Sequence, residues 1–212
     1  MTKMPKRKVA SRGSAKPKAK TSAPLPEGRT KTLLVVGLLL VLAGFGFKVA
    51  AVPFHVWSPD VYQGAATPVT ALLSVAPKAA GFAIVLRFYY GTFALPVTGA
   101  WDLSGIMNWQ GLLIVLSVAT MTLGNIAALT QNNMKRLLAY STVAQLSYVV
   151  MASAILKPLA EVGAAMHMLA HSFGKITLFF AAGSIYTASK KTELGQLRGI
   201  GRRMPVTMTA FT

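Results

Sequence analysis

The feature that most constrains this chain is a series of apolar runs, each about the twenty residues that a helix needs to cross the hydrocarbon core of a bilayer. They lie at about 32–52, 68–90, 109–130, 136–156 and 161–187. Within a bilayer the backbone N–H and C=O groups must be satisfied inside the segment, so runs of this length fold as helices. The chain is therefore expected to be an all-α integral membrane protein, with about five spanning helices over residues 32–212. An ordinary soluble domain is excluded, since 53% of the 212 residues are hydrophobic and only 13% are charged.

The formal net charge of +17 would suggest nucleic acid, but ten of the 22 Lys and Arg lie in residues 1–31. That tail mixes lysines with Ser, Pro and Gly and holds one acid, Glu27. It buries too little apolar surface to fold alone and is expected to be disordered. A transit peptide, a lipid-attracted arm and a fused segment are all open to it. The tail has no aromatics, and no nucleic-acid partner is expected. The absence of cysteine excludes disulfides, thiolate zinc sites and cysteine-held clusters. No phosphate loop, metal-ligand cluster or activated nucleophile stands out, so no cofactor, metal or catalytic residue is assigned and redox work is left to partners.

The first apolar run ends in PFHVWSPDVYQGAATPVT, where Pro53, Pro59, Gly64 and Pro68 forbid one continuous helix. A broken or re-entrant segment is predicted there, with its freed backbone groups shielded by protein or water. MPVTMTAFT at the end of the sequence has the pattern of another helix beginning over 205–212, with Pro205 in its first turn, so the sequence looks truncated. Five spans place the tail opposite the loop of Lys190, Lys191, Arg198, Arg202 and Arg203. Lys135 and Arg136 lie on the side of that loop and mark it as cytoplasmic. The tail then sits on the wrong side, as it would if earlier helices were missing.

Charged residues inside the runs carry the functional signal. Lys78 follows Pro77 about ten residues from either end of its helix, too deep to snorkel. A charged lysine at that depth costs about 2.5–3.5 kcal/mol. Burial lowers the proton affinity of an amine and an approaching carboxylate raises it, so a buried lysine with a movable acidic partner stores and releases protons. Lys48 lies near the end of the first run, after Gly44 and Gly46. In EVGAAMHMLAHSFGKITLFFAAG, His167, His171 and Lys175 recur at spacing four, stacked on one helix face over about 12 Å. Such a polar stripe is the pattern of a proton relay or water-lined path, and Gly174 would allow close packing or local unwinding. His55, beside the proline-rich break, is either an accessory member or a backbone cap. Asp60, Arg87, Lys157 and Glu161 at predicted helix ends fit ordinary solvated charges, and Trp57, Trp101 and Trp109 fit an aromatic belt.

KVAAVPFHVWSPDVYQGAATPVTALLSVAPKAAGF and GNIAALTQNNMKRLLAYSTVAQLSYVV resemble the antiporter-like subunits of respiratory complex I, especially the N subunit. HMLAHSFGKITLFFAAG and LGQLRGIGRRMP are similar to the L and M subunits and to the D subunit of Mrp-type antiporters. The resemblance implies inverted repeats with broken helices and half-channels meeting along a row of protonatable residues. On it, Lys48 corresponds to the broken-helix lysine that pairs with a glutamate, Lys78 to the lysine of the next helix, and Lys175 to the lysine near the second broken helix, with His167 and His171 beside it. The helix that should carry the glutamate is absent. The implied function is proton translocation as a subunit, or a fragment of one, of an NADH–quinone oxidoreductase. A Na+/H+ antiporter subunit of the Mrp kind and a non-transporting assembly fragment are the alternatives. The implied partners are other membrane subunits, the lipid bilayer and protons, with Na+ as the alternative ion. The implied location is a bacterial-type inner membrane, with the mitochondrial inner membrane as the alternative.

Overall fold

In a computed structural model of the chain, residues 27–89, 91, 108–155 and 157–211 are described. Most of the basic tail, with its expected disorder, and Trp101 lie outside them. The helices are α1 (Glu27–Val49), α2 (Trp57–Gly64), α3 (Thr67–Tyr89), α4 (Trp109–Leu129), α5 (Met134–Ala154), α6 (Pro158–Ser189), α7 (Ile200–Arg203) and α8 (Pro205–Phe211). Among the described residues the one β feature is an isolated bridge between Asn133 and Glu193. Five helices, α1, α3, α4, α5 and α6, are long and apolar enough to cross a membrane. The chain is thus an all-α integral membrane protein, as the apolar runs imply. The helices outrun those runs at two ends: Arg29 and Lys31 already stand on α1, and α6 opens at Pro158, where the missing N–H of a first-turn proline has no helical partner to lose.

Local chemistry sets the ends. The Asn108 side chain accepts from the Gly111 N–H at 2.9 Å, and the Asn133 side chain from the Arg136 N–H at 3.3 Å, each satisfying a first-turn donor. Hydroxyls within the spans turn back on their own helix: Thr142 donates to Leu138 O at 2.9 Å, and Ser153 to Val149 O at 2.9 Å. This is how a hydroxyl is accommodated where water is absent.

Helix α5 is the most enclosed of the spans and α1 the least. Helices α4, α6 and α2 pack on α5, α3 packs on α6, and α1 lies at the margin against α3. A Cβ at Gly124 would stand 3.1 Å from the Ala144 backbone nitrogen, so α4 and α5 are nearly in backbone contact there. A Cβ at Gly183 of α6 would collide with the Thr67 side chain at the start of α3. The glycines singled out in the sequence differ. Gly46 lies against the Phe54 ring, whereas Gly44 and Gly174 meet nothing within 4 Å and α6 runs through Gly174 without unwinding. Between α1, α3, α4 and α5 lies a cavity of about 230 Å³, walled by apolar side chains such as Leu42, Val85, Leu113 and Val150.

The prolines explain the polar contacts of the interior. A proline has no N–H to give to the carbonyl four residues earlier, and in hydrocarbon that carbonyl needs another donor. Pro77 deprives Leu73 O, which accepts the buried Tyr62 hydroxyl at 2.9 Å. Pro53 leaves Val49 O open at the end of α1, and the Lys78 amine fills it at 2.7 Å. Other groups of the break find partners as well. Gly46 O takes the Ala51 N–H at 2.8 Å, Phe47 O takes the Trp57 indole N–H at 3.1 Å, and Val52 N–H reaches the Thr120 hydroxyl at 3.1 Å. The predicted broken segment is present and is shielded by protein.

Two substitutions test this packing. Tyr62→Phe leaves Leu73 O buried without a donor and should lower stability by about 1–3 kcal/mol, read as a fall in thermal midpoint in detergent. Gly183→Val should cost about 1–3 kcal/mol by wedging α6 from α3, an effect that Thr67→Ala should partly relieve in the double variant.

Candidate functional site

Lys78 is the middle residue of α3 and is 1% exposed. Its amine is held by Val49 O at 2.7 Å and lies 5.5 Å from the centre of the Trp57 ring, a carbonyl dipole on one side and a π-face on the other. Lys175, near the middle of α6, is 3% exposed and donates to Leu138 O of α5 at 3.1 Å. Among the described residues neither amine has a carboxylate partner; the ion pair present, Arg136 to Asp60 at 3.2 Å, ties α5 to α2 at the rim. The sequence suggested an acidic partner for the buried lysine, whereas here backbone carbonyls hold both amines.

His167 and His171 lie on α6 one turn apart, their rings stacked with centroids 6.2 Å apart and planes 15° off parallel. Each has a buried Nε2 with no hydrogen-bond partner among the described residues. The Tyr148 ring of α5 meets His167 edge-on at 6.0 Å. His171 lies within electrostatic reach of Lys175, His167 and Lys78, and Lys78 within reach of Lys48. Lys48 of α1, Lys78 of α3 and His167, His171 and Lys175 of α6 are thus the ionisable groups of a candidate row drawn from three helices.

Lys48 differs from the others. It is exposed on the flank of α1, and its stem passes beside Gly81 of α3, where a Cβ would stand 3.2 Å from Lys48 Cγ. His55 is partly buried in the break, its Nδ1 has no hydrogen-bond partner among the described residues, and its ring faces Tyr140 of α5 edge-on at 6.5 Å. The backbone of Pro53 accepts a hydrogen bond from the His55 ring, in keeping with the backbone-cap reading.

Several contributors carried no signal in the sequence. Trp57 is half-buried beside the Lys78 amine, and its indole N–H caps the broken end of α1. Trp109 is buried against Leu38 and Leu113. Tyr62 has no visible signature, yet Pro77 four residues beyond Leu73 marks the carbonyl it serves. Glu161, expected at a solvated helix end, has both carboxylate oxygens buried without a partner among the described residues. Lys135 is not simply a rim charge either: it donates to Ala65 O at 3.0 Å, just beyond the end of α2.

Comparison with known proteins bears out the resemblance seen in the sequence. The family described as NADH:quinone oxidoreductase/Mrp antiporter, transmembrane, matches residues 19–212. NADH-quinone oxidoreductase subunit N of Chlorobium chlorochromatii is 42% identical over 186 residues, which is 87% of this chain and 36% of the relative. The subunit of the same name from Moorella thermoacetica is 46% identical over 174 residues, 82% of this chain and 34% of the relative. F(420)H(2) dehydrogenase subunit N of Methanosarcina mazei is 40% identical over 187 residues, 84% and 36%. The chain thus spans little more than a third of the length of these relatives. Among solved structures, a chain of the archaeal membrane-bound sulfane sulfur reductase superposes with a TM-score of 0.75 at 28% identity, covering 88% of this chain and 37% of that one. A chain of the Mrp complex from Dietzia sp. gives 0.73 at 27% identity, covering 85% and 32%. Matched by that family over residues 19–212 and by relatives at 40–46% identity over most of its length, the chain belongs to the NADH:quinone oxidoreductase/Mrp antiporter transmembrane family.

Proposed function

We propose that this chain carries the central part of a proton path in an antiporter-like subunit of an NADH–quinone oxidoreductase, with electron transfer in partner subunits. The observation that carries the proposal is that Lys78 and Lys175 are almost wholly buried and held by backbone carbonyls, with His171 in electrostatic reach of both. A buried ammonium without a counter-ion gives up its proton readily, and a partial dipole steadies it without locking it in the charged form. Amines and imidazoles bind protons, whereas Na+ prefers oxygen ligands, so the chemistry of the row favours proton transfer. Lys48, exposed on a flank of apolar side chains such as Leu40 and Phe47, suits a partner helix that brings a carboxylate against it. His167 and His171 continue the row along α6, and His55 serves it from the break. A bacterial-type inner membrane is the matching location.

In sealed membrane vesicles holding the chain with its native partners, Lys78→Met and Lys175→Met should each slow NADH-driven proton uptake at least about tenfold, measured with a pH-sensitive dye. Rates equal to the unaltered chain would remove both lysines from the path, and uptake that followed a Na+ gradient instead of NADH would place the chain with the exchangers. Stability separates a functional lysine from a structural one. Lys78→Met relieves about 2.5–3.5 kcal/mol of buried charge and leaves Val49 O open at about 1–3 kcal/mol. The thermal midpoint should therefore hold or rise while proton uptake falls; a loss of both would mark Lys78 as a structural cap.

A further inference from the structure

Glu161 stands in the first turn of α6, and the row described above does not use it. Both of its carboxylate oxygens are buried and without a hydrogen-bond partner among the described residues, as are Nε2 of His167 and Nε2 of His171 farther along the same helix. Three half-buried titratable side chains, each with buried polar atoms that lack a partner among the described residues, thus follow one another along the first half of α6. Burial of this kind costs free energy unless water or another donor or acceptor reaches the atoms, and a water-lined path along this face would supply it. The helix rises about 1.5 Å per residue, so His167 lies about 6 Å and Glu161 about 15 Å along the axis from His171. That distance leads from mid-membrane to the end of the span, and Gly163, with no heavy atom within 4 Å of a Cβ built on it, leaves room on the intervening turn. The neighbouring face of α5 presents Tyr148 to His167, and its buried Ser153 has turned its hydroxyl to Val149 O.

We propose that Glu161 is the outer terminus of the row, the carboxyl through which protons pass between the imidazoles of α6 and the aqueous side at which α6 begins. The inference rests on the proton path proposed above. Each step moves one proton. The imidazolium of His171 gives its proton to neutral His167, that imidazolium gives it to the Glu161 carboxylate, and the carboxylic acid releases it to water, leaving each donor as it began. No direct hydrogen bond joins the two Nε2 atoms, and a chain of several water molecules has to carry the proton over the roughly 9 Å of helix rise between His167 and Glu161. Because α6 begins on the side opposite the basic 190–203 loop, this branch opens on the side away from the cytoplasm.

The test uses vesicles holding the assembled chain. Glu161→Gln should slow proton uptake about tenfold, and Glu161→Asp should stay within about threefold of the unaltered chain, since a carboxyl near that place is what matters. The chain has no cysteine, so Glu161→Cys supplies a unique thiol; a membrane-impermeant thiosulfonate that places a carboxylate there should restore uptake when added from the side where α6 begins, and not from the other. Equal slowing by Glu161→Asp and Glu161→Gln, or restoration from the 190–203 side, would overturn the proposal. Unaltered uptake in Glu161→Gln while Lys175→Met is inactive would overturn it and leave the proton path standing, whereas unaltered uptake in both variants would bring down the path as well.

Discussion

A carbonyl deprived of its helical N–H has no water to turn to in hydrocarbon, and much of the interior of this domain is arranged around that one constraint. Pro77 withdraws a donor from Leu73 O inside α3 and Pro53 leaves Val49 O open at the end of α1, and each oxygen is met by a side chain from elsewhere, Tyr62 on Leu73 O and Lys78 on Val49 O; the last carbonyl of α5, Ala154 O, takes Gln110 in the same way. Helix α1 ends shortly before Pro53 whereas α3 runs on through Pro77, and the replacement donors join both places to neighbouring elements. The break in α1 is thus a fixed junction, fastened to α2 through Trp57, to α3 through Lys78 and to α4 through Thr120.

The same contacts bring charge into the middle of the bilayer. Once Lys78 serves as a helix cap its amine cannot reach the surface, and once Lys175 spans to Leu138 O the α5–α6 interface encloses it as well. Helix α5 is the common wall of the site: it accepts Lys175, presents Tyr148 to His167 and Tyr140 to His55, and approaches α4 closely at Gly124. By contrast α1 is bordered by an apolar cavity and shows much of its surface outward. The rigid part of the domain lies behind the lysines, and the least supported helix carries Lys48.

Much of this was legible in the sequence, for particular reasons. Uncharged runs about a bilayer thick give the spans, since few other folds accept them. The cluster of Pro53, Pro59 and Gly64 gives the break, and the spacing of His167, His171 and Lys175 gives the polar face of α6. Partners were harder to see. A lysine in mid-helix asks for something to hold it, but nothing local says whether a carboxylate or a carbonyl answers, because Val49 and Leu138 lie on other helices. The capping role of Trp57 was missed because a tryptophan near a predicted helix end resembles a rim anchor unless the end itself is known to fold inward. Glu161 was misjudged for a related reason: position along a helix does not say which way its first turn faces.

The two buried amines are not held alike. Val49 O, robbed by Pro53, depends on Lys78, so that lysine cannot turn away without unsettling the end of α1. Leu138 O accepts the Thr142 hydroxyl at 2.9 Å alongside the Lys175 amine at 3.1 Å, and stays covered if the amine leaves. Lys78 is therefore a hinge pin, whose departure has to be felt by the backbone. Lys175 is a swinging arm, free to change its neighbour while the helix it leaves keeps its shape.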